Sequence, residues 1–185
     1  MPLVICMKQE TKQQISNSIK DFRMPRYSEI PNVGLYLEQV TKYICEHLDP
    51  LQKNAITGSM ISNYVKKGLV ANPVKKQYDR EQIAYLFFIA VAKTVLSLDA
   101  LTGFIELQKR TYPLDVAYDF FCRQFEGLLA FTCEVTDAME ISDPEHPGDS
   151  ESLGARRLLY SCIVAVTQKI YLEKSLETIA QEARE

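Results

Sequence analysis

Apolar side chains recur at helical spacing along most of this chain. From Asn32, the positions Val33, Leu37, Val40, Ile44 and Leu48 follow one another at steps of four, three, four and four, which predicts a helix that stops just before Pro50. Residues 8–22 are polar and weakly patterned, and predict another helix. "RMPRYSEIPNVG" then breaks the period, with Pro25 and Pro31 punctuating an extended arm. "ITGSMISNYVKKGLV" predicts a short helix with Thr57 or Ser59 as its N-cap. It ends at Gly68, where a helix terminus calls for a left-handed residue, with Lys66 and Lys67 in the last turn. "VANPVKKQY" is too short for a helix, contains Pro73, and predicts a tight ribbon.

Asp79 with Gln82 three residues later forms a capping box for a helix reaching about Leu96. That helix is apolar on nearly every side and should be central. Ser97 opens the next helix and Pro113 interrupts. A long helix from Leu114 to Met139 then carries Val116, Phe120, Phe121, Leu128, Phe131 and Val135. "ISDPEHPGDSE" reads as the clearest linker. A last helix runs from about Ser152 to the end, and its tail positions Leu172, Leu176, Ile179 and Ala183 have coiled-coil spacing. The expected fold class is all-α, mostly helical, with one β-ribbon near residues 69–78.

Composition adds a boundary and an asymmetry. The 185 residues are ordinary for a soluble globular chain, at 46% hydrophobic and 24% charged. The five cysteines, Cys6, Cys45, Cys122, Cys133 and Cys162, are odd in number and lack metal-knuckle spacing, so reduced thiols and a cytoplasmic location are expected. The longest uncharged apolar run, Ile83 to Ala92, is about half a membrane span. The net charge is −3, yet residues 1–80 hold 12 basic and 7 acidic residues while 81–185 hold 9 and 17. Five of the basic residues, Lys66, Lys67, Lys75, Lys76 and Arg80, fall within fifteen positions beside one acid. Such clustering suggests a contact surface for a polyanion.

The order helix, glycine turn, basic ribbon, helix fits a winged helix-turn-helix, whose second helix enters the major groove while its wing tracks phosphates. Ser62, Asn63 and Lys66 would share one exposed face, and Met60, Ile61, Tyr64, Val65 and Leu69 would form the packed side. Lys75, Lys76 and Gln77 would form the wing, with Tyr78 either packing the wing on its own helix or stacking on a sugar. The candidate DNA-contacting set is therefore Ser59, Ser62, Asn63, Lys66, Lys67, Lys75, Lys76, Gln77, Tyr78 and Arg80.

On these residues the chain resembles mercury-resistance-regulator (MerR-type) transcription factors. Tyr64, Lys66, Gly68 and Leu69 match the family's second helix, Pro73 matches the opening of its wing, and Tyr78, Ile83, Leu86, Phe88 and Ile89 match its post-wing helix. Ser62 stands where that family has a phosphate-binding Arg, Asn63 replaces an aromatic, and the wing is about five residues shorter. Over most of residues 22–110, through "MPRYSEIPNVGLYLEQVTKYI", "ITGSMISNYVKKGLV" and "IAVAKTVLSLDAL", the chain resembles a bacterial family designated domain of unknown function 1836. These resemblances imply a MerR-like DNA-binding head, double-stranded DNA as partner and a homodimer joined through C-terminal helices. The organisation expected is an N-terminal arm and helix over 1–30, a winged helix-turn-helix region over 31–96, and a helical dimerisation and sensing part over 97–185.

Tyr85, Phe88, Phe120 and Arg123 are candidates for a ligand pocket, although aromatics at helical spacing are more often core. His47 and His146, the only histidines, lie far apart without ligand spacing, and no nucleophile or phosphate-loop motif is present. Neither a metal, a cofactor nor an enzyme is expected. The alternative reading is a helical protein-interaction module whose basic stretch meets an acidic partner.

Overall fold

The helix with the most apolar sequence is also the most buried. We describe residues 9–133 and 150–182 of a computed structural model. Readings that fall on Cys6, on Val135 to Met139, on the linker with His146, and on Ala183 lie outside these residues. The described chain is mostly helical, as expected: α1 (Gln9–Ile19), α2 (Leu37–Leu48), α3 (Gly58–Lys66), α4 (Arg80–Ala92), α5 (Leu98–Thr111), α6 (Leu114–Thr132) and α7 (Ser150–Glu182), with two short strands, β1 (Leu35–Tyr36) and β2 (Gln77–Tyr78). No described helix is long and apolar enough to cross a membrane.

Ten of the thirteen residues of α4 are buried. It packs against α2, α6 and α7, while α7 also covers α1, α5 and α6. Phe87 and Phe125 are among the largest fully enclosed side chains. Truncating either to alanine costs about 3–5 kcal/mol, because the removed ring leaves a cavity as well as lost apolar contact. The predicted caps are present at Thr57, Asp79 and Ser97, each accepting a backbone N–H from the first turn of its helix.

Two boundaries differ by four residues or more from the sequence reading. The helix expected from Asn32 begins at Leu37, because Leu35 and Tyr36 pair with Tyr78 and Gln77 in an antiparallel ladder. Val33 therefore leaves the apolar stripe and is exposed. Helix α4 ends at Ala92, and Lys93 to Leu96 continue as tight turns.

The arm between α1 and β1 is pinned. Met24 and Ile30 are fully buried. Glu126 of α6 accepts the Met24 N–H at 2.7 Å and both arms of the Arg26 guanidinium at 2.7 and 2.6 Å. Asp119 accepts the Tyr27 N–H at 2.7 Å.

Burial pushes the Cys122 thiol up to about 12, and the Cys133 and Cys162 thiols up to about 11. The unfolded chain ionises these thiols first as pH rises past about 9, while the folded chain keeps them protonated. Their effect on stability is nil below that pH and becomes a progressive loss up to about 11–12. The expected result is a urea midpoint that falls over this alkaline range. Replacing the three thiols with alanine should flatten that fall while lowering the neutral-pH midpoint.

Candidate nucleic-acid interface

Helix α3 is one-sided. Ile61 and Tyr64 are buried and Met60 and Val65 half-buried, whereas Ser59, Ser62, Asn63, Lys66 and Lys67 are exposed. Positions 59, 62, 63 and 66 fall on one face by helical periodicity. The Ser62 hydroxyl donates to the Gly58 carbonyl at 2.9 Å, and Ser59 shares a hydrogen bond with Thr57 at 3.0 Å. The Asn63 amide is thus the group on this face best suited to bidentate contact with an adenine edge.

The C-terminus of α3 closes as the sequence anticipated. Gly68 has φ +77°, Leu69 N–H reaches the Tyr64 carbonyl at 3.0 Å, and Gly68 N–H reaches that of Val65 at 3.0 Å. This double closure requires a left-handed residue, which glycine adopts without a Cβ clash. It reverses the chain and buries Leu69 and Val70.

A two-residue hairpin follows. Val74 and Gln77 exchange both backbone hydrogen bonds, at 3.1 and 2.9 Å. Between them Lys75 and Lys76 have φ +50° and +64°. This is the left-handed pair of a type I′ turn, a site that favours Asn-Gly. Two lysines there cost about 1 kcal/mol each. Both side chains project into solvent. Lys66, Lys67, Lys75 and Lys76 have no ion-pair partner among the described residues.

Gln82 anchors the ribbon to α4. Its amide donates to the Ala71 carbonyl at 2.8 Å while its oxygen accepts the Asp79 N–H at 2.8 Å. Three candidate contacts change role. Tyr78 is 4% exposed and packs into the core, the first of the two roles open to it. Gln77 lies against Gly34, where an added Cβ would come within 2.7 Å of its own Cβ. Arg80 turns inward to the arm, its guanidinium donating to the carbonyls of Ile30 at 2.8 Å and Ser28 at 3.4 Å and lying 5.7 Å from the centre of the Tyr27 ring. It braces the arm and is not an open charge.

The candidate ligand pocket divides similarly. Tyr85 and Phe88 line one apolar cavity of about 40 Å³, and Phe120 lines an adjoining one of about 40 Å³. Phe104, Gln108, Ala117 and Leu159 border both. The Tyr85 hydroxyl donates to Gln108 at 2.9 Å, and burial, with Glu81 nearby, raises its pKa to about 12. Arg123 is exposed and lines neither cavity. Two cations stand by these aromatics: Lys109, whose Nζ lies 5.4 Å from the centre of the Tyr85 ring, and Arg156, which lines the Phe120 cavity and is brought in by α7 from a distance in sequence that no local pattern reveals.

No curated protein and no solved structure matches this chain. A family model, Domain of unknown function (DUF1836), matches residues 25–121, from the arm through α2, α3, the hairpin, α4 and α5 into α6. That is more than half of the chain, and the protein belongs to this family.

Proposed function

We propose that this protein is a DNA-binding transcriptional regulator that contacts duplex DNA through α3 and the hairpin, in the manner of a MerR-like winged helix-turn-helix. The observation that carries the reading is the pair of lysines held in left-handed conformation at the hairpin tip. A local backbone cost retained at a solvent-exposed turn is explained when the side chains displayed there bind something. On this reading Lys66, Lys67, Lys75 and Lys76 neutralise phosphates, and Asn63 and Ser62 face base edges. Substituting Asn63 should shift sequence preference by about 1–3 kcal/mol at one base position.

The protein acts as a homodimer in this reading. Leu158, Leu172 and Leu176 of α7 are each more than half exposed, with exposed Ser161 and Ala165 between them. Spacings of 14 and 18 residues bring the three leucines onto one stripe of the helix. The stripe leaves the bundle instead of packing inside it, which favours pairing with a second copy. Two copies would present their α3 helices to half-sites about one turn of DNA apart, or a multiple of it. Leu158→Glu with Leu172→Glu should give a folded monomer by sedimentation equilibrium, where the parent protein is a dimer. A monomeric parent would remove the dimer.

The quickest test is purification at low salt. The protein should carry nucleic acid, seen as excess ultraviolet absorbance that high salt strips away. Protein that emerges free of nucleic acid at every salt concentration would count for the interaction-module reading instead.

A further inference from the structure

The hairpin register exposes a face the lysines do not account for. Val74 pairs with Gln77, and Gln77 pairs with Tyr36 of β1. Residues directly opposed in a ladder put their side chains on the same side. Val74, Gln77 and Tyr36 therefore line one face of the ribbon, and Leu35 and Tyr78 line the other. The Leu35–Tyr78 face packs on the core. The opposite face carries two open apolar side chains, Val74 at 73% exposure and Tyr36 at 54%, with the half-buried Gln77 between them.

This patch is continuous with both candidate contact elements. Lys75 and Lys76 follow Val74 directly. Leu37, next after Tyr36, meets the start of α3, where a Cβ at Gly58 would lie 3.4 Å from its Cδ2. Glu38 and Asp79 are the nearest acids along the chain; Asp79 caps α4 and Glu38 sits in the first turn of α2, where the helix dipole favours it. An apolar face rimmed by lysines fits a sugar–phosphate strand, whose deoxyriboses are apolar and whose phosphates are not.

We infer that Tyr36 and Val74 seat on the deoxyriboses of the strand bordering the groove entered by α3, while Lys75 and Lys76 hold its phosphates. The inference rests on the DNA-binding reading and adds a contact that salt does not screen. It therefore predicts a separation. Tyr36→Ala should weaken binding about 5- to 10-fold on any duplex at every salt concentration, without changing the slope of log affinity against log salt. Tyr36→Phe should retain most of the affinity, because the ring supplies the contact. Val74→Ala, at a site too exposed to disturb folding, should weaken binding about 2-fold, again with the slope unchanged.

The measurement is a fluorescence anisotropy salt series on a mixed-sequence duplex, with thermal melts of each variant. Steep salt-dependent binding by the parent, with Tyr36→Ala and Val74→Ala unchanged in affinity, would overturn this inference and leave the DNA-binding reading intact. No binding by the parent would overturn both. A Tyr36→Ala effect that altered the slope would also overturn it, since an uncharged contact releases no counterions.

Discussion

Replacing Lys75 with Asn and Lys76 with Gly should weaken binding to any DNA duplex by about 10–100-fold for each protomer bound at about 0.1 M salt, and at the same time make the protein more stable. The binding loss follows from counterion release. Each phosphate contact contributes about 0.9 to the salt slope, so losing two lowers it by about two for every protomer bound. At about 0.1 M salt each unit of slope is worth about one power of ten in affinity. The stability gain has a separate origin. Lys75 and Lys76 hold φ +50° and +64°, where a lysine's Cβ crowds its own backbone. Asn tolerates this conformation and Gly adopts it freely, so the folded state should gain about 1–2 kcal/mol, less the entropy that glycine adds to the unfolded chain. Lys75→Ala with Lys76→Ala should show the same binding loss without the gain. Opposite signs for affinity and stability in one variant would mark the turn as a contact element. Unchanged affinity and slope in both variants would remove the hairpin from the interface.

Glu126→Ala should cost about 2–4 kcal/mol of unfolding free energy, the largest stability effect expected outside the apolar core. Three donors converge on this carboxylate, two from Arg26 and one from the Met24 backbone. The side chains of Arg26 and Glu126 are only 22% and 17% exposed, so removing the acid strands a mostly dehydrated guanidinium and a buried N–H. The residual exposure lets Arg26 swing towards water, which keeps the estimate at the lower end of costs for broken buried pairs. Arg26→Met with Glu126→Leu should recover much of the loss, since it removes both charges together. Urea midpoints of the parent and the two variants would check this. A single-variant cost under about 0.5 kcal/mol would mean that the arm is held without the Arg26–Glu126 pair.

What could be read from the sequence was set by distance along the chain. Thr57, Asp79 with Gln82, Ser97 and Gly68 announced their helix ends because a cap or a left-handed closure involves residues within a turn of one another. The burial of α4 was legible because its sequence offers no polar face to water. The β1–β2 ladder was not legible: Leu35 and Tyr36 fall between Val33 and Leu37, which are one helical step apart, and only pairing with residues some forty positions later turns them into a strand. That same pairing defines the face containing Tyr36, absent from the sequence-derived contact set. Arg80 looked like the other basic residues of its stretch, and its partners are main-chain carbonyls of an arm fifty residues upstream. Arg123 likewise stood beside the aromatics in sequence, whereas α7 supplies Arg156 in space.

The central claim is that this protein grips the DNA backbone. Anisotropy titration of the full chain against a random-sequence duplex of about 30 base pairs, over a salt series, tests it most directly. With four lysines per protomer on phosphates, log affinity should fall with log salt at a slope of about −3 to −4 per protomer, or about −7 for a dimer. No binding at low salt, or binding indifferent to salt, would contradict the account.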